Sequence, residues 1–120
     1  QFSSAGMPPA YYYSVEKGEL EEVLVGALPL GSFPSAIHMM QEIPFKTKGD
    51  ILVMMSDGLP EAENTNDEMV GYEQTEECIR SMVSKSAEEI KDGLVELCDT
   101  WLAGFAELKD DMTFVIIKKK

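Results

Sequence analysis

The sequence predicts an α+β domain in which sheets and helices are stacked in layers. Three observations predict it. Two runs, Ile51-Leu52-Val53-Met54-Met55 and Phe114-Val115-Ile116-Ile117, are apolar without polar interruption, so each reads as a strand buried on both faces. Ser86-Ala87-Glu88-Glu89 is a capping box, and Ile90, Leu94, Leu97, Cys98, Trp101, Leu102 and Phe105 recur after it at helical spacing. The order is strands, then two helices, then a last strand, which segregates helices from sheet. One face of each apolar strand would then pack on a second sheet and the other on the helices.

Taken in order, Gln1-Phe2-Ser3-Ser4 reads as the end of a strand, and Ser3 to Pro9 as a turn enforced by Gly6 and Pro8-Pro9. Ala10 to Val15 is an aromatic-rich strand. Glu16-Lys17-Gly18-Glu19 turns the chain into a short strand from Leu20 to Val25. Gly and Pro punctuate a loop from Gly26 to Pro34. Ile37 to Phe45 is expected to be a strand, with Pro44 marking an edge or bulge. Thr47-Lys48-Gly49-Asp50 would join it in a hairpin to the strand at Ile51. The polar stretch from Glu61 to Gly71 is expected to be an exposed, mobile loop. A first helix runs from about Tyr72 to Val83 with Cys78, Ile79, Met82 and Val83 on one side, and the capping box opens the second. The last strand spans Met112 to Ile117.

With 120 residues there is room for one domain and one modest core. Its hydrophobic share of 44% and charged share of 27% fit a globular chain. No apolar stretch approaches the roughly 18–20 residues that span a bilayer, and no basic-then-apolar leader is present. The formal charge of -12 repels nucleic acid and anionic lipid, so neither is expected as a partner. Terminal Lys118-Lys119-Lys120 reads as a solvated end. Cys78 and Cys98 match no zinc spacing and read as buried free thiols of a reducing, cytoplasmic compartment, a membrane-tethered parent being compatible with this. His38 is the single histidine, which argues against a His-based catalytic triad or zinc site within the chain.

The chemistry is expected at strand ends. Asp57 sits where the apolar strand stops and Gly58 opens a turn, a rigid position that other atoms can approach closely. Asp110-Asp111 stands in the mirror situation, just before the last strand. Carboxylates from two strand ends suit hard divalent cations such as Mg²⁺ or Mn²⁺. The spacing alone is also that of ordinary solvent-exposed turns. An EF-hand starting at Asp57 fails, because Leu59 and Ala62 stand where an oxygen ligand and Gly are required. No phosphate-binding Gly-rich loop with a following Lys and no nucleophile elbow occur.

Several segments together resemble one family. Ser4-Ala5-Gly6-Met7-Pro8-Pro9, Pro29-Leu30-Gly31, the run from Gly49 through Ser56-Asp57-Gly58 to Ala62, and Asp110-Asp111-Met112-Thr113-Phe114-Val115 are similar, in order and spacing, to the SpoIIE and RsbU branch of the bacterial PPM (type 2C) protein serine/threonine phosphatases. The resemblance implies an α-β-β-α sandwich, two antiparallel sheets flanked by helices. It implies two Mn²⁺ or Mg²⁺ ions and hydrolysis of phosphoserine or phosphothreonine by metal-activated water. Asp57 and Asp110 would carry the catalytic metal positions, with Asp111 a metal-site or supporting group. The expected partner is a phosphorylated regulatory protein of the anti-sigma-factor antagonist type. Met7 replaces the His of the family's usual Gly-His-Pro turn.

The family takes further ligands from an Asp and an Asp-Gly pair in its N-terminal half, and no such segment lies upstream of Asp57. Residues 1–120 therefore read as the C-terminal portion of one phosphatase domain, with an incomplete site, weak metal binding and exposed apolar surface that invites self-association. The rival reading is a catalytically silent, acidic protein-interaction module derived from the same fold.

Overall fold

The computed structural model describes residues 1–104 and 107–120; Phe105, assigned above to the second helix's apolar face, lies outside the described residues. The described elements are β1 (Phe2–Ser3), β2 (Ala10–Ser14), β3 (Glu19–Val23), β4 (Met40–Gln41), β5 (Ile51–Met55), α1 (Gly71–Ser81), α2 (Ala87–Leu102) and β6 (Phe114–Lys118). They form two antiparallel sheets. The larger has the strand order β3-β2-β5-β6, and β1 and β4 make a separate two-stranded piece.

The apolar runs behave as their composition demands. Register aligns Tyr11, Val53 and Ile116 across three strands, and Tyr12, Leu52 and Ile117 beside them on the opposite face. Tyr11, Ile51, Val53 and Met55 pack with Ile79 of α1 and Ile90, Leu94 and Cys98 of α2 in the main core. The alternate residues Ala10, Tyr12 and Val23 form a smaller cluster with Phe2, Ile43, Phe45, Leu52 and Met54. One face of the sheet is thus sealed by both helices. The other is only partly covered, and Val115 and Ile117 on the β6 edge remain 47% and 44% exposed. A recess of about 320 Å³ on that side is lined by Phe2, Met7, Met54 and Val115 together with Ser4, whose buried hydroxyl has no partner among the described residues.

The capping box is formed as expected. Ser86 Oγ accepts the Glu89 amide at 3.1 Å, and Glu89 Oε2 accepts the Ser86 amide at 2.8 Å. Both ends of the motif therefore satisfy an amide that the helix cannot. Helix α1 has no side-chain cap. Cys78 and Cys98 are free, and burial pushes both thiols up.

Four expectations need correction. The segment from Ile37 to Phe45 is not a strand hairpinned to β5. Only Met40–Gln41 is a strand, its partner is β1, and β5 pairs with β2 and β6. Ile37, Met39 and Met40 are exposed, Ile37 at 83%, and only Ile43 and Phe45 pack inward, on the smaller cluster, without sheet pairing to β5. His38 lies outside the strands, with its ring Nε2 3.0 Å from the Leu28 carbonyl oxygen. The loop after Asp57 is exposed but closely bonded: Asn64 Oδ1 accepts the amides of Asn66 and Glu68, and Trp101 Nε1 donates to the Glu68 carbonyl at 2.8 Å. The terminal lysines are tied down as well. Lys118 Nζ donates to the carbonyls of Val83 and Lys85, and Lys119 Nζ to that of Phe45.

Asp50 was expected only to form a turn. It is 1% exposed and acts as a junction. Its Oδ1 accepts the Val15 amide at 3.0 Å, and its Oδ2 accepts the amides of Lys46 and Thr47 at 2.9 and 2.7 Å and the Tyr12 hydroxyl at 3.4 Å. Burial pulls its pKa upward, but the three amide bonds and the Tyr12 hydroxyl outweigh it and hold the carboxyl below the usual carboxylate range. The Asp50 carboxylate thereby fixes the start of β5, the strand that delivers Asp57.

Candidate metal centre

Strand β5 ends at Met55, and the next residues form a turn whose Asp57 carbonyl accepts the Glu61 amide at 2.9 Å. Leu59 is fully buried in the main core and anchors that turn. Asp57 is therefore half-buried on a rigid base. On the neighbouring strand, regular pairing stops at Met55 opposite Phe114. The chain before it, Asp110 to Thr113, stays against the β5 end through other contacts.

Ser56 makes most of them. Its amide donates to the Thr113 carbonyl, its hydroxyl donates to the Asp111 carbonyl, and the same oxygen accepts the Thr113 amide, each at 3.0 Å. Gly58 supplies the room. A Cβ there would lie 2.5 Å from the Asp111 carbonyl oxygen and 3.2 Å from that of Asp110. Segments more than fifty positions apart in sequence are thus in direct contact, and Asp57 sits between the two residues that touch Asp110-Asp111. The Asp111 amide donates to Asp110 Oδ1 at 2.7 Å, which orients that carboxylate. Lys109 pairs with Glu63, joining the same segment to the loop beyond Asp57.

The surroundings are acidic. The Tyr72 hydroxyl is pushed up by burial and then by the charges of Glu61, Asp57 and Glu22. Among the described residues, no three His, Cys, Asp or Glu side chains come together as a group that could hold a metal ion, Asp57, Asp110 and Asp111 included. The donors at hand are carboxylate oxygens, with no thiol or imidazole beside them in the motif, a set that fits Mg²⁺ or Mn²⁺ rather than a soft ion. Asp57 follows the end of β5 and Asp110-Asp111 precedes the start of β6, and it is main chain and the Ser56 hydroxyl that join the two segments. Ser56 was not singled out from the sequence, although its place immediately before Asp57-Gly58 on a strand end was the available signal.

Residues 1–120 match the family described as Stage II sporulation protein E (SpoIIE). The chain belongs to the SpoIIE family. Its sequence is 27% identical over 129 residues to the phosphoserine phosphatase RsbU of Bacillus subtilis, covering 99% of this chain and 34% of that protein. Its fold is similar to the phosphatase domain of the cell fate determinant SpoIIE of Bacillus subtilis, with TM-score 0.68 and 20% identity, over 98% of this chain and 49% of that one. The SiaA-PP2C domain of Pseudomonas aeruginosa is likewise similar, with TM-score 0.73 and 17% identity, over 97% of this chain and 44% of that one. The chain thus spans about a third of the curated relative and about half of the solved domains. The layered α+β architecture expected for SpoIIE-type domains is the one observed, with antiparallel sheets and helices on one outer face. Among the described residues, no helix is long and apolar enough to cross a membrane.

Proposed function

We infer that residues 1–120 are the C-terminal portion of a metal-dependent protein serine/threonine phosphatase domain. The observation that carries this reading is the packing of Gly58 and Ser56 against Asp110-Asp111 in a chain of the SpoIIE family. Asp57 and Asp110 would hold the cation through carboxylate oxygens, with Asp111 in support. When bound, divalent cations lower the pKa of water and neutralise phosphoryl charge. The chain's own residues provide a fixed acidic strand end, oriented by the Asp111 amide and braced by Ser56. Mn²⁺ is the cation to try first, since the SpoIIE phosphatase domain of Bacillus subtilis was presoaked with Mn.

The substrate we favour is a phosphoserine or phosphothreonine protein. RsbU, the curated relative, is named a phosphoserine phosphatase. A regulatory phosphoprotein of sigma-factor signalling, in the cytoplasm, is the substrate that the resemblance to the SpoIIE and RsbU branch implies, and the free thiols agree with that compartment. The experiment is Mn²⁺-dependent phosphate release from a phosphoserine protein. It compares this chain, a form carrying the remaining half of the domain, and that longer form with Asp57→Asn. Activity confined to the longer unmutated form is the expected result. No activity in any folded, metal-supplied form would leave the acidic interaction module as the better reading.

A further inference from the structure

Resting on the metal-site reading above, we propose that Ser56 is a positioning residue: its hydroxyl holds the Asp110-Asp111 segment at the spacing from Asp57 that a shared divalent cation requires. The β5–β6 ladder stops at Met55 opposite Phe114, two positions short of Asp57 and three short of Asp111. Beyond that point a single main-chain bond, from the Ser56 amide to the Thr113 carbonyl, continues the pairing. The Ser56 hydroxyl supplies the rest. It donates to Asp111 and accepts from Thr113, both at 3.0 Å, so it grips the segment on either side of Met112.

This use commits the hydroxyl's proton and one of its two lone pairs to the Asp111–Thr113 main chain. Its proton goes to one carbonyl and a lone pair takes one amide, so Ser56 acts through Asp110 and Asp111 rather than on an ion or substrate. The bracing is needed because Asp110 and Asp111 are exposed neighbours of like charge, and Asp57 adds a third acid on the facing strand end. Without a fixed main chain those carboxylates would move apart, and an ion held by ligands from two strands loses affinity when one strand drifts. Gly58 limits the segment from the other direction, because its bare Cα lets the Asp110 and Asp111 carbonyls approach. Ser56 draws the segment in and Gly58 permits the approach. A Thr at 56 would retain the hydroxyl; an Ala would not.

The test uses the isotope-labelled longer domain form, which carries the remaining half of the domain, as wild type, Ser56→Ala and Ser56→Thr. Amide hydrogen exchange at Thr113 is measured without metal, and Mn²⁺ is then added while paramagnetic broadening of the Gly58 and Asp111 amide signals is followed. Ser56→Ala is expected to exchange the Thr113 amide about tenfold faster. The Mn²⁺ concentration for half-broadening should rise by about tenfold or more. Ser56→Thr should restore both. Faster exchange with unchanged Mn²⁺ response would overturn the positioning role, leaving Ser56 a structural residue. Unchanged exchange and unchanged Mn²⁺ response in Ser56→Ala would overturn it outright. Wild type that shows no broadening at Gly58 and Asp111 would overturn the metal reading itself and the positioning role with it.

Discussion

The α-carbon of Gly58 lies so close to Asp111 that an added Cβ would stand 2.5 Å from the Asp111 carbonyl oxygen and 3.0 Å from its carbonyl carbon. The obstacle is main chain, which cannot turn aside as a side-chain tip can. Gly58→Ala must therefore push the Asp110-Asp111 segment off the β5 end or displace Asp57. We expect a loss of about 2 kcal/mol in stability by urea denaturation and weaker Mn²⁺ binding than wild type. A variant as stable as wild type with unaltered Mn²⁺ binding would show that the two strand ends do not need this contact.

Asp50 gives a pH dependence whose sign is fixed by its bonds. Its folded pKa lies below the ordinary carboxylate value because the Val15, Thr47 and Lys46 amides and the Tyr12 hydroxyl overcome the opposing effect of burial. A depressed folded pKa contributes stability that is present above the unfolded value of about 3.9 and is lost as pH falls through the folded pKa. Asp50→Asn has no carboxyl to protonate, so the stability gap between wild type and Asp50→Asn should narrow as pH is lowered from about 6 to about 3. Asp50→Ala, which abandons three part-buried amides, should cost on the order of 3 kcal/mol at neutral pH. Denaturation curves across that range decide it, and a gap independent of pH would remove Asp50 from this role.

How far the sequence led depended on whether a signal was local. The capping box at Ser86 and the apolar period of α2 are read within a few residues, and both stand as expected. The two apolar strands were legible from their uninterrupted runs, although the burial on both faces expected from such a run fails at β6, an edge strand whose Val115 and Ile117 stay exposed. The partners of these strands were not legible. The strand expected at Ile37 to Phe45 and the Thr47-Lys48-Gly49-Asp50 turn suggested a hairpin to β5, but β2 and β6 hold those positions, and pairing across such distances leaves no mark in neighbouring residues. Asp50 looked like a turn residue because its acceptor role depends on Val15, thirty-five positions away. The carboxylates were proposed from their strand-end positions, whereas Ser56 was passed over because its partners, Asp111 and Thr113, lie more than fifty positions away.

The α2 capping box should be worth a measurable amount by itself. Ser86→Ala removes the acceptor for the Glu89 amide at an exposed helix start. The expected loss is about 1 kcal/mol by thermal or chemical denaturation. Glu89→Ala should show a smaller loss, since only the reciprocal bond to the Ser86 amide disappears. Helix α2 packs Ile90, Leu94 and Cys98 under the strands that carry the site, so both variants should lower stability without changing the Mn²⁺ concentration needed by the folded protein. A changed Mn²⁺ requirement in the folded state would mean that the helix start and the carboxylates are coupled.

Asp110 and Asp111 are adjacent acids with different surroundings, and they should not be interchangeable. The Asp110 carboxylate is oriented by the Asp111 amide through one of its oxygens, which leaves the other for a cation. The ties of Asp111 are made by its main chain, with its amide to Asp110 and its carbonyl to Ser56. Those ties survive when the Asp111 side chain is changed. Asp110→Asn should therefore weaken Mn²⁺ binding by more than about tenfold, comparable with Asp57→Asn, and Asp111→Asn by less than that. Titration of Mn²⁺ into the longer domain form, followed by the signal of free Mn²⁺, separates the two positions without any substrate. Equal losses at Asp110 and Asp111 would make both carboxylates direct ligands. A larger loss at Asp111 would reverse the assignment made from the orientation of Asp110.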